Sequence, residues 1–273
     1  MNILEEIEKS YNSFAPKERT IAMFIIHNPK LVQSMTITDL AARAHSSIAS
    51  VTRFCKKMKC ANYADFKIKL AVSTANGDAA KQKDPSHTTL TQVNEFYKKV
   101  VQHTISSVDE SVILHVTSLI ANAKRVYVFG IGSSGLTALE LQSRLSRMGI
   151  VAFACTDGDA MRIATALLGQ DDLIISISNS GNTPEIIQSV KIARKNHVQI
   201  VSFTSFSQSP LTELSDYTVL VYNSLFLDNE SFINTQFSLL YVVDVLSVYL
   251  LEDPQYSENM RLTIEAVHEP KSL

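Results

Sequence analysis

Apolar positions recur at two different periods along this chain, and the period changes near residue 125. Before that point they return every three to four residues, the spacing of one face of an α-helix. "APKERTIAMFIIHN" carries Ile21, Phe24 and Ile25 at this spacing, with Pro16 suited to a first helical position and Pro29 closing the run. "TITDLAARA" predicts a helix capped by Thr38, with Leu40, Ala41 and Ala44 turned inward. The polar break His45-Ser46-Ser47 follows, and then "IASVTRFCKKMK" predicts a helix whose apolar stripe is Ile48, Val51, Phe54 and Cys55, extended by Met58. "YADFKIKLAV" predicts a further amphipathic helix, and "TQVNEFYKKVVQHTISSVDESVILHVTSLIANA" one or two more.

From residue 125 short apolar runs alternate with helical segments. The runs are "RVYVFG" (125–130), "VAFAC" (151–155), "LIISIS" (173–178), "IVSFTS" (200–205) and "YTVLVY" (217–222). Helical patterns fall near 135–148, 158–168 and 184–196, with a short one near 210–215. Runs apolar on both faces, separated by helices, predict a five-stranded parallel sheet covered on both sides. "INTQFSLLYVVDVLSVYLL" is apolar on most sides and predicts a helix packed into the core or a subunit interface.

The two periods divide the chain. "STANGDAAKQKDPSHTT" (73–89) has no apolar periodicity, so the expected organisation is a helical domain over 1–76, a linker over 77–90, an α/β domain over 91–251 and a tail over 252–273. Charge follows the same division. Residues 1–75 hold eleven Lys/Arg against six Asp/Glu, a net of +5, and the remainder hold fourteen against twenty-one, a net of −7. A basic module beside an acidic one suggests that only the first meets a polyanion. Two short helices joined by a tight turn, the second basic outside, fit a helix-turn-helix. Ser47, Ser50, Thr52 and Arg53 would then face base edges, and Lys56, Lys57 and Lys59 would neutralise phosphates. A small helical bundle with solvated lysines fits the same pattern. The three cysteines form no CxxC pair, so neither a zinc site nor a disulfide framework is expected. No apolar run spans a bilayer and "MNILEEIEKS" has no signal-peptide core, so a cytoplasmic protein without membrane attachment is expected.

The chemistry concentrates in two loops. "VFGIGSSG" places Gly130, Gly132 and Gly135 as G-x-G-x-x-G after a strand, and Asp157 stands 22 residues beyond Gly135, where a dinucleotide's ribose would need an acid. The rest of the chain offers no hydride-transfer site. "SISNSGNTPEI" sets Ser178, Asn179, Ser180 and Thr183 around Gly181, again between a strand and a helix. Hydroxyls and backbone N–H groups at a helix N-terminus cradle a phosphate monoester. Simple N-capping would account for one hydroxyl per loop, not for six in two loops.

These residues carry a resemblance. "ISNSGNTPE" resembles the S-x-S-G-x-T signature of SIS (sugar isomerase) domains, and "GIGSSG" resembles their first ligand loop. "TITDLAARAHSSIASVTRFCKKMKCANYADFKIKL" is similar to the helix-turn-helix of the RpiR family of bacterial transcription regulators, and the two modules stand in that family's order. The resemblance implies a flavodoxin-like α/β sandwich that senses a sugar phosphate and controls binding to an operator in double-stranded DNA. Ser133 and Ser134 match the first loop, Ser178, Ser180 and Thr183 match the phosphate signature, and Arg53-Phe54 match the "RF" pair of the recognition helix. Asn179 and Glu230 complete the expected ligand set. Lys59 and Asn62 stand where the family usually has glycine. An isomerase would instead need Glu185 or Glu230 as base and His115 or His197 as ring-opening acid. A basic helix-turn-helix favours a sensor without catalysis, metal or organic cofactor. Paired half-sites call for at least a homodimer or homotetramer, with Phe237 to Leu251 in its interface.

Overall fold

The computed structural model describes residues 2–75, 88–227 and 235–268. The chain divides into two compact units, Met1–Tyr97 with Ser224–Ile233, and Lys98–Asn223 with Asn234–Leu273. The expected linker falls outside the described residues up to position 87, and its last two residues, Thr89 and Leu90, already open a helix.

The first unit holds α1 (Ile3–Ser10), α2 (Pro16–His27), α3 (Pro29–Ser34), α4 (Ile37–Arg43), α5 (Ile48–Lys57), α6 (Tyr63–Ala75) and the first half of α7 (Thr89–Ser107). Its core gathers Ile7, Ile21, Ile25, Leu40, Val51, Phe54, Phe66 and Leu70, one stripe from each of five helices. The α4 cap is Thr36, not Thr38. The Thr36 hydroxyl accepts from Asp39 N–H at 3.1 Å and the Asp39 carboxylate accepts from Thr36 N–H at 3.2 Å, a reciprocal pair that only an i, i+3 spacing permits. A tight turn with His45 at φ 47° joins α4 to α5.

In the second unit the chain runs α8 (Glu110–Asn122), β1 (Arg125–Gly130), α9 (Ser133–Arg147), β2 (Ala152–Cys155), α10 (Gly158–Thr165), β3 (Asp172–Ile177), α11 (Pro184–Lys195), β4 (Gln199–Thr204), β5 (Tyr217–Leu220), α12 (Phe237–Leu250) and α13 (Pro254–His268). The sheet is parallel throughout in the order β2-β1-β3-β4-β5. Alternate strand residues feed two cores. Val126, Val128, Leu173, Ile175, Val201 and Phe203 pack under α8, α9 and α12. Phe129, Ile174 and Ile200 pack against α10 and α11 on the other side. The segment expected as a tail holds α13, where the Asn259 side-chain amide donates to the Met148 carbonyl at 2.9 Å.

Register is pinned at the amino ends of the two central strands. Arg125 pairs with Asp172 across β1 and β3, and the guanidinium donates to both carboxylate oxygens at 2.7 and 2.8 Å. Asp172 is 3% exposed. Burial pushes its carboxyl up, but bonds from Arg125 and Gly169 N–H and the charge of Lys124 outweigh it and hold the group below its usual range. The same register sets Gly130 beside Ile177 at the carboxyl ends.

Candidate functional site

Two surfaces carry the expected chemistry, and each is described within its own unit. The first is the outer face of α5. Ser47 caps this helix by accepting from Ser50 N–H at 3.1 Å. Ser50, an expected reader, is only 8% exposed, and its hydroxyl lies between the Ser47 hydroxyl (3.0 Å) and the Arg53 guanidinium (3.2 Å). That geometry makes Ser47 and Ser50 supports that orient Arg53. Ile48 leaves the apolar stripe expected of it and is 47% exposed, because the first residue of α5 points away from the core that Val51, Phe54 and Cys55 enter. Arg53, Lys56 and Lys59 are exposed. Lys57 is committed elsewhere. Its ammonium donates to the Ser13 carbonyl at 2.7 Å and to Glu18 at 3.2 Å, and lies 5.0 Å over the Phe14 ring.

The end of α5 keeps the geometry that glycine would ordinarily supply. Lys59 has φ 53°, its N–H donates to the Lys56 carbonyl at 3.0 Å, and Cys60 N–H donates to the Cys55 carbonyl at 2.9 Å. This is a Schellman cap, closed here by a lysine in the left-handed region.

The second surface is the carboxyl edge of the sheet. In the order 2-1-3-4-5 the chain reverses direction between β1 and β3, so the loops leaving them diverge and open a crevice. Because Gly130 and Ile177 are in register, Ser133 and Ser180 lie three residues beyond adjacent strand ends. The Cα of Gly130 sits so close to the Ser134 carbonyl that a Cβ would approach it to 2.4 Å, so only glycine lets the first loop close. Gly132, not a serine, caps α9. Ser133 is exposed and lines a cavity of about 590 Å³ with Leu136, Thr137, Glu140 and residues of α12. Ser134 is nearly buried.

In the second loop the Thr183 hydroxyl does not cap α11; it shares a hydrogen bond of 2.9 Å with the Ser178 hydroxyl. Ser180 is exposed and its hydroxyl accepts from Asn182 N–H at 3.2 Å. Gly181 has φ +62°, and a Cβ there would strike the Ser209 hydroxyl at 2.2 Å. Asn179 is spent on the scaffold: its side-chain oxygen accepts from the Ser205 hydroxyl, its amide donates to Asn223 at 3.4 Å, and its carbonyl accepts from Ser205 N–H at 3.1 Å. The end of β4 and the segment after it, with Thr204, Ser205 and Ser209, thus brace the second loop from behind, a support that sequence reading missed. Its only signal was a run of serines after another strand. His103, on α7, packs near the carboxyl end of β5. Its ring stacks 4.5 Å from Tyr222, just beyond β5, and burial followed by the charge of Lys99 lowers its pKa. Glu230 lies outside the described residues.

The rival readings find less. The Asp157 carboxylate caps α10, accepting from Asp159 N–H at 3.0 Å and Ala160 N–H at 2.9 Å, so it does not wait for a ribose. His115 stacks on Tyr217 at the amino end of β5, and His197 occupies a left-handed turn just before β4. Both stand at the sheet edge opposite the serine loops. Glu185 is exposed in the first turn of α11 and lines a separate cleft of about 440 Å³ with Asp157, Asp159 and Arg162. Among the described residues no helix is long and apolar enough to cross a membrane.

Comparison with known proteins agrees with this division. Residues 1–77 match the helix-turn-helix domain of the rpiR family, and residues 119–224 match the SIS domain. The transcriptional regulator HexR of Escherichia coli is 25% identical over 99% of this chain and 96% of its own length. An uncharacterized HTH-type transcriptional regulator of Clostridium perfringens is 29% identical over 97% of each chain. The structure of the Vibrio vulnificus NanR protein complexed with ManNAc-6P gives a TM-score of 0.61 at 27% identity, covering 97% of this chain and 98% of that one. A helix-turn-helix joined to a SIS domain defines a DNA-binding transcriptional regulator. The chain belongs to the RpiR family of such regulators.

Proposed function

We propose that this regulator senses a phosphorylated sugar at the crevice between β1 and β3 and that the ligand alters its affinity for an operator. One observation carries the reading. Two hydroxyl-rich loops leave adjacent strands in register, and neither loop uses its hydroxyls to cap the helix that follows. The phosphate would sit against Ser178, Ser180, Thr183 and the N-terminus of α11, where the helix dipole favours an anion. The sugar would extend toward Ser133 and Ser134. The ManNAc-6P held by the NanR structure supports a sugar phosphate as the ligand class.

Sensing proceeds without turnover, a reading supported by the helix-turn-helix module and by the regulators this chain resembles. The protein acts in the cytoplasm as a homodimer or homotetramer, with the helical domain ending near residue 76 and the sensing domain opening near 91. On DNA, Arg53 reads a base with Thr52 beside it, while Lys56 and Lys59 neutralise phosphates. A thermal-shift panel of sugar phosphates tests the sensor. A true ligand at about 100 times its Kd adds about 2.7 kcal/mol of stability, and NAD adds none. Ser180→Ala should abolish that shift and leave operator binding by the free protein intact. An unchanged ligand titration for this variant would refute the phosphate assignment.

A further inference from the structure

The outer face of α5 is less polar than its residue types imply. Ser47 is a cap and Ser50 is sunk beneath Arg53. The Thr52 hydroxyl donates back to the Ile48 carbonyl at 2.9 Å, so the hydroxyl is spent on its own helix and the methyl of this exposed residue is left to the surface. Beside it stand Ile48, 47% exposed and outside the helical core, and Ala49, also exposed. Positions 48, 49, 52, 53 and 56 follow the 1-3-1-3 spacing of a single helix face. The N-terminal part of that face is aliphatic; the rest is Arg53 and Lys56.

We propose that Ile48, Ala49 and the Thr52 methyl form a patch that selects the C5-methyl group of thymine in the major groove. The proposal rests on the reading of α5 as the DNA-recognition helix. In the major groove thymine alone presents an apolar group, and small aliphatic side chains are what contact it. The cationic flank of Arg53, Lys56 and Lys59 suits a polyanion and opposes an apolar protein partner. With the Ser50 hydroxyl buried and the Ser47 hydroxyl engaged in the cap, hydrogen-bond readout falls to Arg53, and specificity at neighbouring base pairs falls to methyl contact.

The test removes one methyl at a time from the DNA. The full chain selects a duplex from a randomised pool, and each thymine of that duplex is replaced in turn by deoxyuridine. Binding is measured by fluorescence anisotropy at fixed salt. The wild-type protein should lose affinity by about fourfold per contacted methyl at one or two positions of each half-site and be indifferent elsewhere. Ile48→Ala should bind the thymine duplex correspondingly weakly and show a flat uracil scan at the position it reads. Thr52→Val should keep the wild-type profile, and Thr52→Ser should lose part of it. Equal binding of a fully uracil-substituted duplex by the wild-type chain would overturn the proposal without needing any variant. A wild-type uracil profile in Ile48→Ala would overturn it too. Failure to enrich any duplex would instead strike the DNA-reading assignment of α5, and the proposal with it.

Discussion

The outer face of α5 and the crevice between β1 and β3 are built in opposite ways. The face of α5 takes all its residues from ten consecutive positions, and helix geometry alone puts them side by side. The crevice draws on Ser133 and Ser180 from loops 47 positions apart, and these loops leave adjacent strand ends only because β1 and β3 pair in one register. A local site survives damage to distant parts of its unit as long as its helix forms. A site assembled by register fails when the register is disturbed, even far from the ligand.

The largest effect should therefore come from the far end of the sheet. Arg125→Ala leaves the Asp172 carboxylate 3% exposed and without its cation. Breaking a buried pair costs about 3–5 kcal/mol, and partial exposure of Arg125 brings this to about 2–3 kcal/mol. Denaturation followed in the sheet unit should show that loss together with a weakened response to sugar phosphate, while operator binding by the ligand-free protein stays close to wild type. Because Asp172 is held below its usual range, the stability it contributes is present at neutral pH and is lost as pH falls through its folded pKa.

The helical unit should show the opposite pH dependence. Burial, assisted by the charge of Glu5, raises Glu8 from 4.5 to about 7. The folded state binds this proton more tightly than the unfolded state. The associated stability is thus fully present below about pH 4.5 and lost as pH rises to about 7. Glu8→Gln should remove that slope and stabilise the unit by about 1–3 kcal/mol at pH 8. A slope that persists in the variant would locate the titrating group elsewhere.

A smaller effect separates stability from charge at the end of α5. A non-glycine residue in the left-handed region costs about 1–2 kcal/mol. Lys59→Gly should stabilise the unit by about 1 kcal/mol and still reduce the salt dependence of DNA binding by about 0.9 in log–log slope. The smallest effect distinguishes two neighbouring lysines. Lys56→Ala should lower the salt slope by the same increment on all sequences. Lys57→Ala, whose ammonium is tied to Ser13 and Glu18, should leave the slope unchanged and cost under about 1 kcal/mol of stability. Equal slopes for the two variants would show that the Lys57 contacts open on DNA.

Much of the fold was legible because parallel strands buried on both faces read as continuous apolar runs, and all five fall within about two residues of the expected ranges. The surprises cluster where one polar group has several possible partners. Thr36 and Thr38 are both plausible caps by composition, and only the reciprocal bond with Asp39 decides between them. Ser50 and Lys57 have the residue types of DNA contacts, yet packing turned one beneath Arg53 and drew the other onto α2. Asn179 sits within the motif and is nonetheless bonded to Ser205 and Asn223, partners brought near by the pairing of β3, β4 and β5.

By itself, then, the sequence determined the two periods of hydrophobicity, the division of charge, the glycine positions and the hydroxyl content of the loops, because each is a property of neighbours along the chain. The tertiary structure decided which hydroxyls are already satisfied, which cations are already paired and which apolar side chain is left outside. Those outcomes depend on competition for partners among residues distant in sequence. Packing of α5 on its core likewise sank Ser50 between its local partners Ser47 and Arg53 and left Ile48 on the surface.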